Sequence, residues 1–393
     1  MTQKYEKHQS FNNFIGKESG EIVKRQSERI LPLLEEFLNE KKGDEYFRSI
    51  VHEAKESLSG KFPGKENESN VNETQKSKFQ ITQFIAEEVN KIYDKDVPRY
   101  IFHRFRYDVF SKENRVDKFP PYVQIEPVSY CNYKCVFCYQ TDESYFKPGN
   151  ENMGKMSYDL FCKIVDELAG NVDFISMASR GEPTLNKDLA KMLRYAEGKF
   201  LGLKVNTNAS ILKDDVIHAM LSGGVNTVVF SVDAADEELY KKLRVKGDLK
   251  KVMKNIEHFH EIKEKQYSKS RVITRVSGVK VSDDQSIEDM SKFWGDMVDQ
   301  IAFVKYNPWE NIYDLKPNQI QTPCSDLWRR LFIWFDGSTN PCDSDYKSHL
   351  ATGALNDFSV SEIWRNGTYE TLRKNHLDGH RQSIEPCKRC FVI

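Results

Sequence analysis

Cys131, Cys135 and Cys138 fall within the stretch SYCNYKCVFCYQ (129–140), at C-x3-C-x2-C spacing. Tetrahedral zinc takes four ligands and disulfides take cysteines in pairs, so three clustered thiols leave one place over. Three thiolates can hold three irons of a four-iron, four-sulfur cube and leave the fourth iron open to a small molecule. A zinc knuckle completed by a distant residue is the alternative. A second set, Cys324, Cys342, Cys387 and Cys390, has C-x17-C-x44-C-x2-C spacing. Four thiolates fill every place of another cube, or of one zinc. The eighth cysteine, Cys162, lies in the amphipathic run LFCKIVDEL and reads as a small core hydrophobe.

The rest of the chain must position these thiols. Its 393 residues carry 58 Lys and Arg against 59 Asp and Glu, a balance that gives no electrostatic case for binding nucleic acid. No apolar run reaches the roughly 18 residues of a membrane span. The start, MTQKYEKHQSFNNF, lacks a signal peptide's apolar core. The expectation is a cytoplasmic protein with neither membrane nor nucleic-acid partner, in which clustered thiols point to metal or catalysis. Residues 1–118 read as a helical extension, with Ile30, Leu33, Leu34 and Phe37 at helical spacing and a polar linker near 60–79.

From Tyr122 onward, six short apolar runs alternate with amphipathic helical segments: YVQIEPV, VDFISMA, LKVNTN, TVVFSVD, RVITRVSGV and IAFVKY. Strand–helix alternation of this kind predicts an α/β fold, a parallel sheet curled into a partial (β/α)6 barrel over residues 119–316. Such folds place chemistry at the carboxyl ends of strands, and the first cysteine run follows the first strand directly. Residues 317–393 break the alternation and read as a small cysteine-bearing domain.

CNYKCVFC resembles the hallmark C-x3-C-x-aromatic-C of the radical S-adenosylmethionine (SAM) superfamily, with Phe137 in the aromatic place. The resemblance implies that the amino and carboxylate groups of SAM chelate the open iron. In SRGEPTL, Gly181, Glu182 and Pro183 match the family's Gly-Gly-Glu-Pro stretch, which contacts the SAM amino group; Arg180 replaces the first glycine. NTNAS, with Asn208, resembles the family's Thr-Asn-Gly/Ala turn. FSVDAADEELYKKLRV resembles its Ser-x-Asp-Gly stretch followed by an arginine, which implies Ser231 and Arg244 as contacts of the SAM carboxylate and ribose. Asp233 belongs to the same stretch, with a helix N-cap or turn former as the alternative. VSGV and VKYNPW fall where the resemblance implies the adenine-contacting region, with ordinary barrel packing as the alternative. The resemblance spans Tyr122 to Asn307.

The C-terminal segment, from PCSDLWRRLFIWFDGSTNPCDSD to EPCKRC, resembles the SPASM/Twitch extension of radical SAM enzymes, here with thiols for one auxiliary cluster. The resemblance implies two [4Fe–4S] clusters and SAM, and reductive cleavage of SAM to a 5′-deoxyadenosyl radical that abstracts hydrogen. The expected reaction is oxidation of a sugar, cyclitol or other polar small molecule, with the auxiliary cluster as electron acceptor and flavodoxin or ferredoxin as donor. A maturase acting on a ribosomal peptide is one alternative; a non-catalytic iron–sulfur or zinc protein is the other. RYIFHRFRY (99–107) reads either as an anion pocket or as a helix docked by its aromatic face with its arginines in solvent. His349, His376 and His380 lie among the second thiol set and read as surface or outer-shell groups, since four cysteines suffice.

Overall fold

The computed structural model describes residues 11–14, 19–40, 43–60, 79–146, 152–178 and 180–393. The polar linker near 60–79 falls, apart from its two ends, outside the described residues. The chain forms two compact units, residues 16–117 and residues 1–15 with 118–393.

The smaller unit is helical. Helices Ser19–Asn39, Glu45–Leu58, Gln83–Asn90 and Val97–Phe105 make up most of it, the last continuing into a π-helical turn, Arg106–Phe110. Ile30 and Leu34 are buried as their spacing requires, as are Ile50, Val51 and Ala54. Asp44 and Thr82 cap helix starts, accepting from the Phe47 and Ile85 N–H groups. The arginines of RYIFHRFRY do not simply face solvent. Arg104 pairs with Asp108 at 2.8 Å, and buried Arg106 pairs with Asp117 at 2.5 Å while lying over the Phe102 ring. Both of these charges are met inside the unit, which corrects the solvent reading.

The larger unit is built on one ten-stranded sheet. Its strands, with a separate two-stranded pair, are β1 Phe11–Phe14, β2 Tyr122–Ile125, β3 Lys134–Cys135, β4 Phe174–Met177, β5 Gly202–Thr207, β6 Thr227–Ser231, β7 Arg244–Val245, β8 Ile273–Lys280, β9 Gln300–Lys305, β10 Arg330–Ile333, β11 Ser338–Asn340 and β12 Gly353–Ala354. The six expected strands, β2, β4, β5, β6, β8 and β9, lie side by side in chain order, all parallel. Helices Tyr158–Leu168, Leu189–Tyr195, Asp214–Ser222, Leu249–Gln266 and Ile287–Trp294 make the crossovers. This is the partial (β/α)6 barrel, an α/β fold with a mostly parallel sheet.

The pleat sorts the strand residues into two faces. Val123, Ile125, Ile175, Met177, Leu203, Val205, Val228 and Phe230 join helix residues such as Phe161, Leu193, Ile217 and Ile256 in one continuous core. The alternating positions carry Gln124, Ser176, Lys204, Asn206, Arg275 and Gln300 together with Tyr122, Phe174, Val229, Ile273 and Ala302. The face beneath the helices is therefore apolar, and the inner face mixes polar with apolar side chains.

Two features lie beyond the sequence expectation. β1 falls in the stretch expected to be helical and pairs antiparallel with β9. At the other edge β10 pairs in parallel with β2, Leu331 opposite Val123, and continues into the antiparallel β10–β11 hairpin and β12. The expected boundary at 316/317 thus separates strands of one sheet.

Candidate functional site

The cysteine run leaves the carboxyl end of β2. Cys135 lies on β3, which pairs with β7 so that Cys135 stands opposite Arg244. The Cys138 N–H closes onto the Cys135 carbonyl at 3.0 Å, and the Phe137 carbonyl accepts from Trp309 Nε1 at 2.9 Å. The turn after β4 packs directly on this loop. A Cβ on Gly181 would lie 2.3 Å from the Val128 carbonyl oxygen and 2.4 Å from that of Tyr130, so only glycine admits the approach. The Glu182 N–H then donates to the Tyr130 carbonyl at 3.0 Å.

Glu182 is nearly fully buried and its carboxylate is occupied by protein donors. Oε1 accepts from the Thr184 N–H and hydroxyl and from Thr207 Oγ1; Oε2 accepts from the Asn208 N–H at 2.7 Å. Burial pushes this carboxyl up, against those hydrogen bonds. Glu182 thus ties the end of β4 to the end of β5, and Pro183 starts the short 3-10 turn that it caps. Asn208 donates from Nδ2 to Asn132 Oδ1 at 2.9 Å and reaches Cys131 Sγ at 3.7 Å. Arg244 donates from Nε to buried Asp233 and from Nη1 to Cys135 Sγ at 3.8 Å, and lies over the Phe137 ring. Asp233 caps no helix: it holds Arg244 and the Val279 N–H, while Asp236 caps helix Glu237–Leu243. Ser231 ends β6, half-buried, opposite Ser277.

The structure thus gathers Phe137, Gly181, Glu182, Pro183, Asn208, Asp233 and Arg244 around the first thiol set through these contacts. Burial and the Glu182 charge push the Cys131 thiol up to about 12. Burial, then the charges of Cys135 and Cys131, raise Cys138; burial raises Cys135, opposed by Arg244.

The second set is also convergent. Burial, Asp345 and then Cys387, Cys390 and Cys324 raise the Cys342 thiol; Cys387 is raised by burial, Cys390 and Cys324. Buried Arg381 donates to the carbonyls of Thr322, Cys390 and Val392 at 2.7–2.8 Å and to that of Cys387 at 3.3 Å. It clamps the closing Cys-x2-Cys turn to the segment before Cys324. The three histidines separate: His376 is buried and its Nδ1 accepts from the Cys324 N–H at 3.1 Å, His349 rests against Tyr313, and His380 is exposed. Cys162 is half-buried rather than in the core.

Both sets offer only sulfur, and each has a buried guanidinium beside it, Arg244 or Arg381. That donor set suits a thiolate-held iron–sulfur group of net negative charge. Burial disfavours the thiolate form, and coordination is what would ionise these thiols. Among the described residues no group of three or more His, Cys, Asp or Glu is gathered tightly enough for a single metal ion.

Sequence reading alone did not find Glu126, Arg381 or the tyrosines between the two thiol sets. Glu126 carries a signal, a lone carboxylate ending an apolar strand run. Tyr139 and Tyr346 stack at 4.9 Å, with Tyr145 and Tyr313 edge-on to Tyr346. Their cluster includes Cys138 of one set and Cys390 of the other.

Comparisons with known proteins agree with this geometry. Residues 125–293 match the radical SAM superfamily and residues 324–391 an iron–sulfur cluster-binding domain, SPASM. A tungsten-containing aldehyde ferredoxin oxidoreductase cofactor-modifying protein of Pyrococcus furiosus is 31% identical over 114 residues, 28% of this chain and 30% of that protein. A GTP 3′,8-cyclase of Clostridium botulinum is 29% identical over 192 residues, 48% of this chain and 56% of the cyclase. The chain thus spans less than two thirds of either relative. Among solved structures, Streptococcus suis SuiB bound to precursor peptide SuiA superposes with a TM-score of 0.53 at 16% identity, covering 88% of this chain and 82% of SuiB. SuiB bound to S-adenosylmethionine gives 0.51 at 18%, covering 75% of this chain and 77% of SuiB. These two likenesses concern the fold. The chain carries a radical SAM superfamily domain followed by a SPASM iron–sulfur domain, which together imply one [4Fe–4S] cluster each and S-adenosylmethionine.

Proposed function

We propose that this protein is a radical SAM enzyme in which Cys131, Cys135 and Cys138 hold the SAM-binding cluster and Cys324, Cys342, Cys387 and Cys390 hold an auxiliary one. The observation that carries this reading is the packing of the Gly181–Glu182 turn, Asn208 and Arg244 onto the three-cysteine loop at the carboxyl ends of β2, β4, β5 and β6. Held by Cys131, Cys135 and Cys138, a [4Fe–4S] cluster would supply the electron for reductive cleavage of SAM to methionine and a 5′-deoxyadenosyl radical. An auxiliary cluster held by Cys324, Cys342, Cys387 and Cys390 would supply an electron acceptor.

The chain's own residues prepare that chemistry. Gly181 brings backbone against the loop, and Glu182 fixes the turn and Asn208 in place. The Asp233–Arg244 pair sets a guanidinium beside Cys135, where a SAM carboxylate would find it. Asn307, after β9, has both amide atoms buried and without a partner among the described residues, as an adenine-reading side chain would before its ligand binds.

We assign a polar small molecule, a sugar or cyclitol oxidised at a carbinol carbon, as substrate. Polar groups on the inner face of the barrel support this: Lys204 and Asn206 are half-buried there, and the Ser176 hydroxyl and Asn206 Oδ1 are buried without partners among the described residues. A peptide substrate is the second reading, favoured by the peptide-bound SuiB among the structures of like fold. A flavodoxin or ferredoxin in the cytoplasm would serve as donor. No helix among the described residues is long and apolar enough to cross a membrane.

Anaerobically reconstituted protein is expected to hold about eight irons, and about four after Cys131, Cys135 and Cys138 are all changed to alanine. With dithionite and SAM it should form 5′-deoxyadenosine. Iron near four together with stoichiometric zinc would remove the auxiliary cluster; full iron without SAM cleavage would remove the enzyme reading. A carbinol substrate deuterated at the attacked carbon should pass deuterium into 5′-deoxyadenosine, whereas a peptide maturase would do so only with its peptide.

A further inference from the structure

Arg180 stands where the matching stretch of the family has glycine. It is 2% exposed and paired with Glu126, which is fully buried. The Arg180 N–H, Nε and Nη2 all donate to the Glu126 carboxylate, at 3.1, 2.8 and 2.6 Å. Its remaining reach goes elsewhere. Nη1 donates to the Tyr346 carbonyl at 3.0 Å, and the guanidinium lies over the Trp334 ring at 4.0 Å. Both partners belong to the C-terminal region. Tyr346 follows Cys342 by four residues, in a loop held by buried Asp345, which accepts from the Tyr313 hydroxyl and the His349 and Leu350 N–H groups. Trp334 donates to Ser348 in the same loop at 2.8 Å.

On its other side Arg180 is bonded directly to Gly181, the residue seated on the cysteine loop. Gln140 Nε2, two residues past Cys138, donates to the carbonyls of both Arg180 and Ser129. One buried side chain therefore touches the loop that carries Cys342, while its own backbone forms the turn that packs on the first thiol set. The order of a region pinned by thiol ligands depends on those ligands being filled, because metal binding and folding share one free energy.

We propose that Arg180 is a positioning residue that couples occupancy of the second thiol set to SAM affinity at the first. The inference rests on the reading above, in which SAM meets the Gly181–Pro183 turn. With the second set filled, Tyr346 and Trp334 hold the guanidinium, and the turn keeps its place. With it empty, the loop of Tyr346 no longer holds the guanidinium, Trp334 loses its Ser348 partner, and the turn loosens. By linkage, SAM must in turn favour filling of the second set.

The test is a double-mutant cycle read as SAM affinity, measured on anaerobically reconstituted protein by equilibrium dialysis and by the shift SAM causes in the EPR signal of the reduced first cluster. Cys387→Ala/Cys390→Ala empties the second set. Glu126→Gln/Arg180→Met removes the pair without stranding a buried charge. Emptying the second set should weaken SAM binding about tenfold when Arg180 is present, and by less than about twofold when Glu126→Gln/Arg180→Met is the background. First-set iron is checked in every protein. The same loss in both backgrounds, or none in wild type, overturns the coupling. If the paired variant does not retain iron, Arg180→Lys replaces it: it keeps a charge for Glu126 but lacks the fork that reaches Tyr346, so undiminished coupling there overturns the proposal as well. Wild-type protein that holds first-set iron yet binds no SAM overturns the function itself, a distinguishable failure.

Discussion

Tyr139 and Tyr346 lie face to face, ring centroids 4.9 Å apart and planes 21° from parallel, although one follows Cys138 and the other belongs to the loop of Cys342. The Tyr346 hydroxyl donates to Asp142 at 2.7 Å, and Lys347 meets the same carboxylate at 2.6 Å. The junction between the two thiol sets is thus an apolar stack bordered by an ion pair. Stacking should add about 0.5–1.5 kcal/mol beyond burial. Tyr139→Leu and Tyr346→Leu are therefore expected to be non-additive by about that amount in the denaturant midpoint of the anaerobic holoprotein. Strict additivity would show that the rings merely fill space.

Gly181→Ala should be severe for a backbone reason. A Cβ there overlaps two carbonyl oxygens of the segment leading into Cys131. Backbone cannot move aside as a flexible side chain does, so the first thiol set should lose its geometry. Iron is expected to fall by about four per chain, with the second cluster retained. Retention of full iron and normal SAM cleavage would show that the loop tolerates displacement.

Arg381→Met should act on the opposite set. It takes a donor from the carbonyls of Thr322, Cys387, Cys390 and Val392, of which Cys390 keeps Asn318 Nδ2 at 3.0 Å and Thr322 is exposed to water. Each buried unsatisfied group costs about 1–3 kcal/mol. Second-set iron should then be lost to a chelator much faster than first-set iron, followed by the EPR signals of the two sets. Equal rates would mean that Arg381 is not the clamp.

His260 offers a test by pH. Burial, then the nearby Lys263 charge, hold its imidazole below the ordinary range. Its folded form binds a proton later than its unfolded form, so stability should be intact above about 6.5 and decline as pH falls below that value. His260→Asn should flatten this slope; an unchanged slope between wild type and variant would assign it to other groups.

The six strands and their crossovers were legible because each repeats a local pattern, short apolar runs against amphipathic helices. The thiol sets were legible from spacing, and Gly181, Glu182 and Asn208 from short motifs. What those residues do was less legible. Glu182 reads as a ligand contact, yet its carboxylate is filled by Thr184, Thr207 and the Asn208 N–H. For Asp233 the cap alternative falls away, since it holds Arg244 instead. The Glu126–Arg180 pair spans 54 positions and the Arg180–Tyr346 contact 166, so no local pattern encodes either. β10 was hidden similarly: nothing in RLFI says that it will lie beside YVQI, far earlier in the chain.

That strand pairing has a practical consequence for anyone wishing to study the barrel alone. β10 covers the outer edge of β2 through all four of its residues, Tyr122 to Ile125. A chain cut near residue 317 would leave that edge bare, a row of unpaired backbone donors and acceptors on an apolar strand. Bare edges of this kind recruit strands from other molecules. Such a fragment is expected to be recovered as aggregate rather than as a working half.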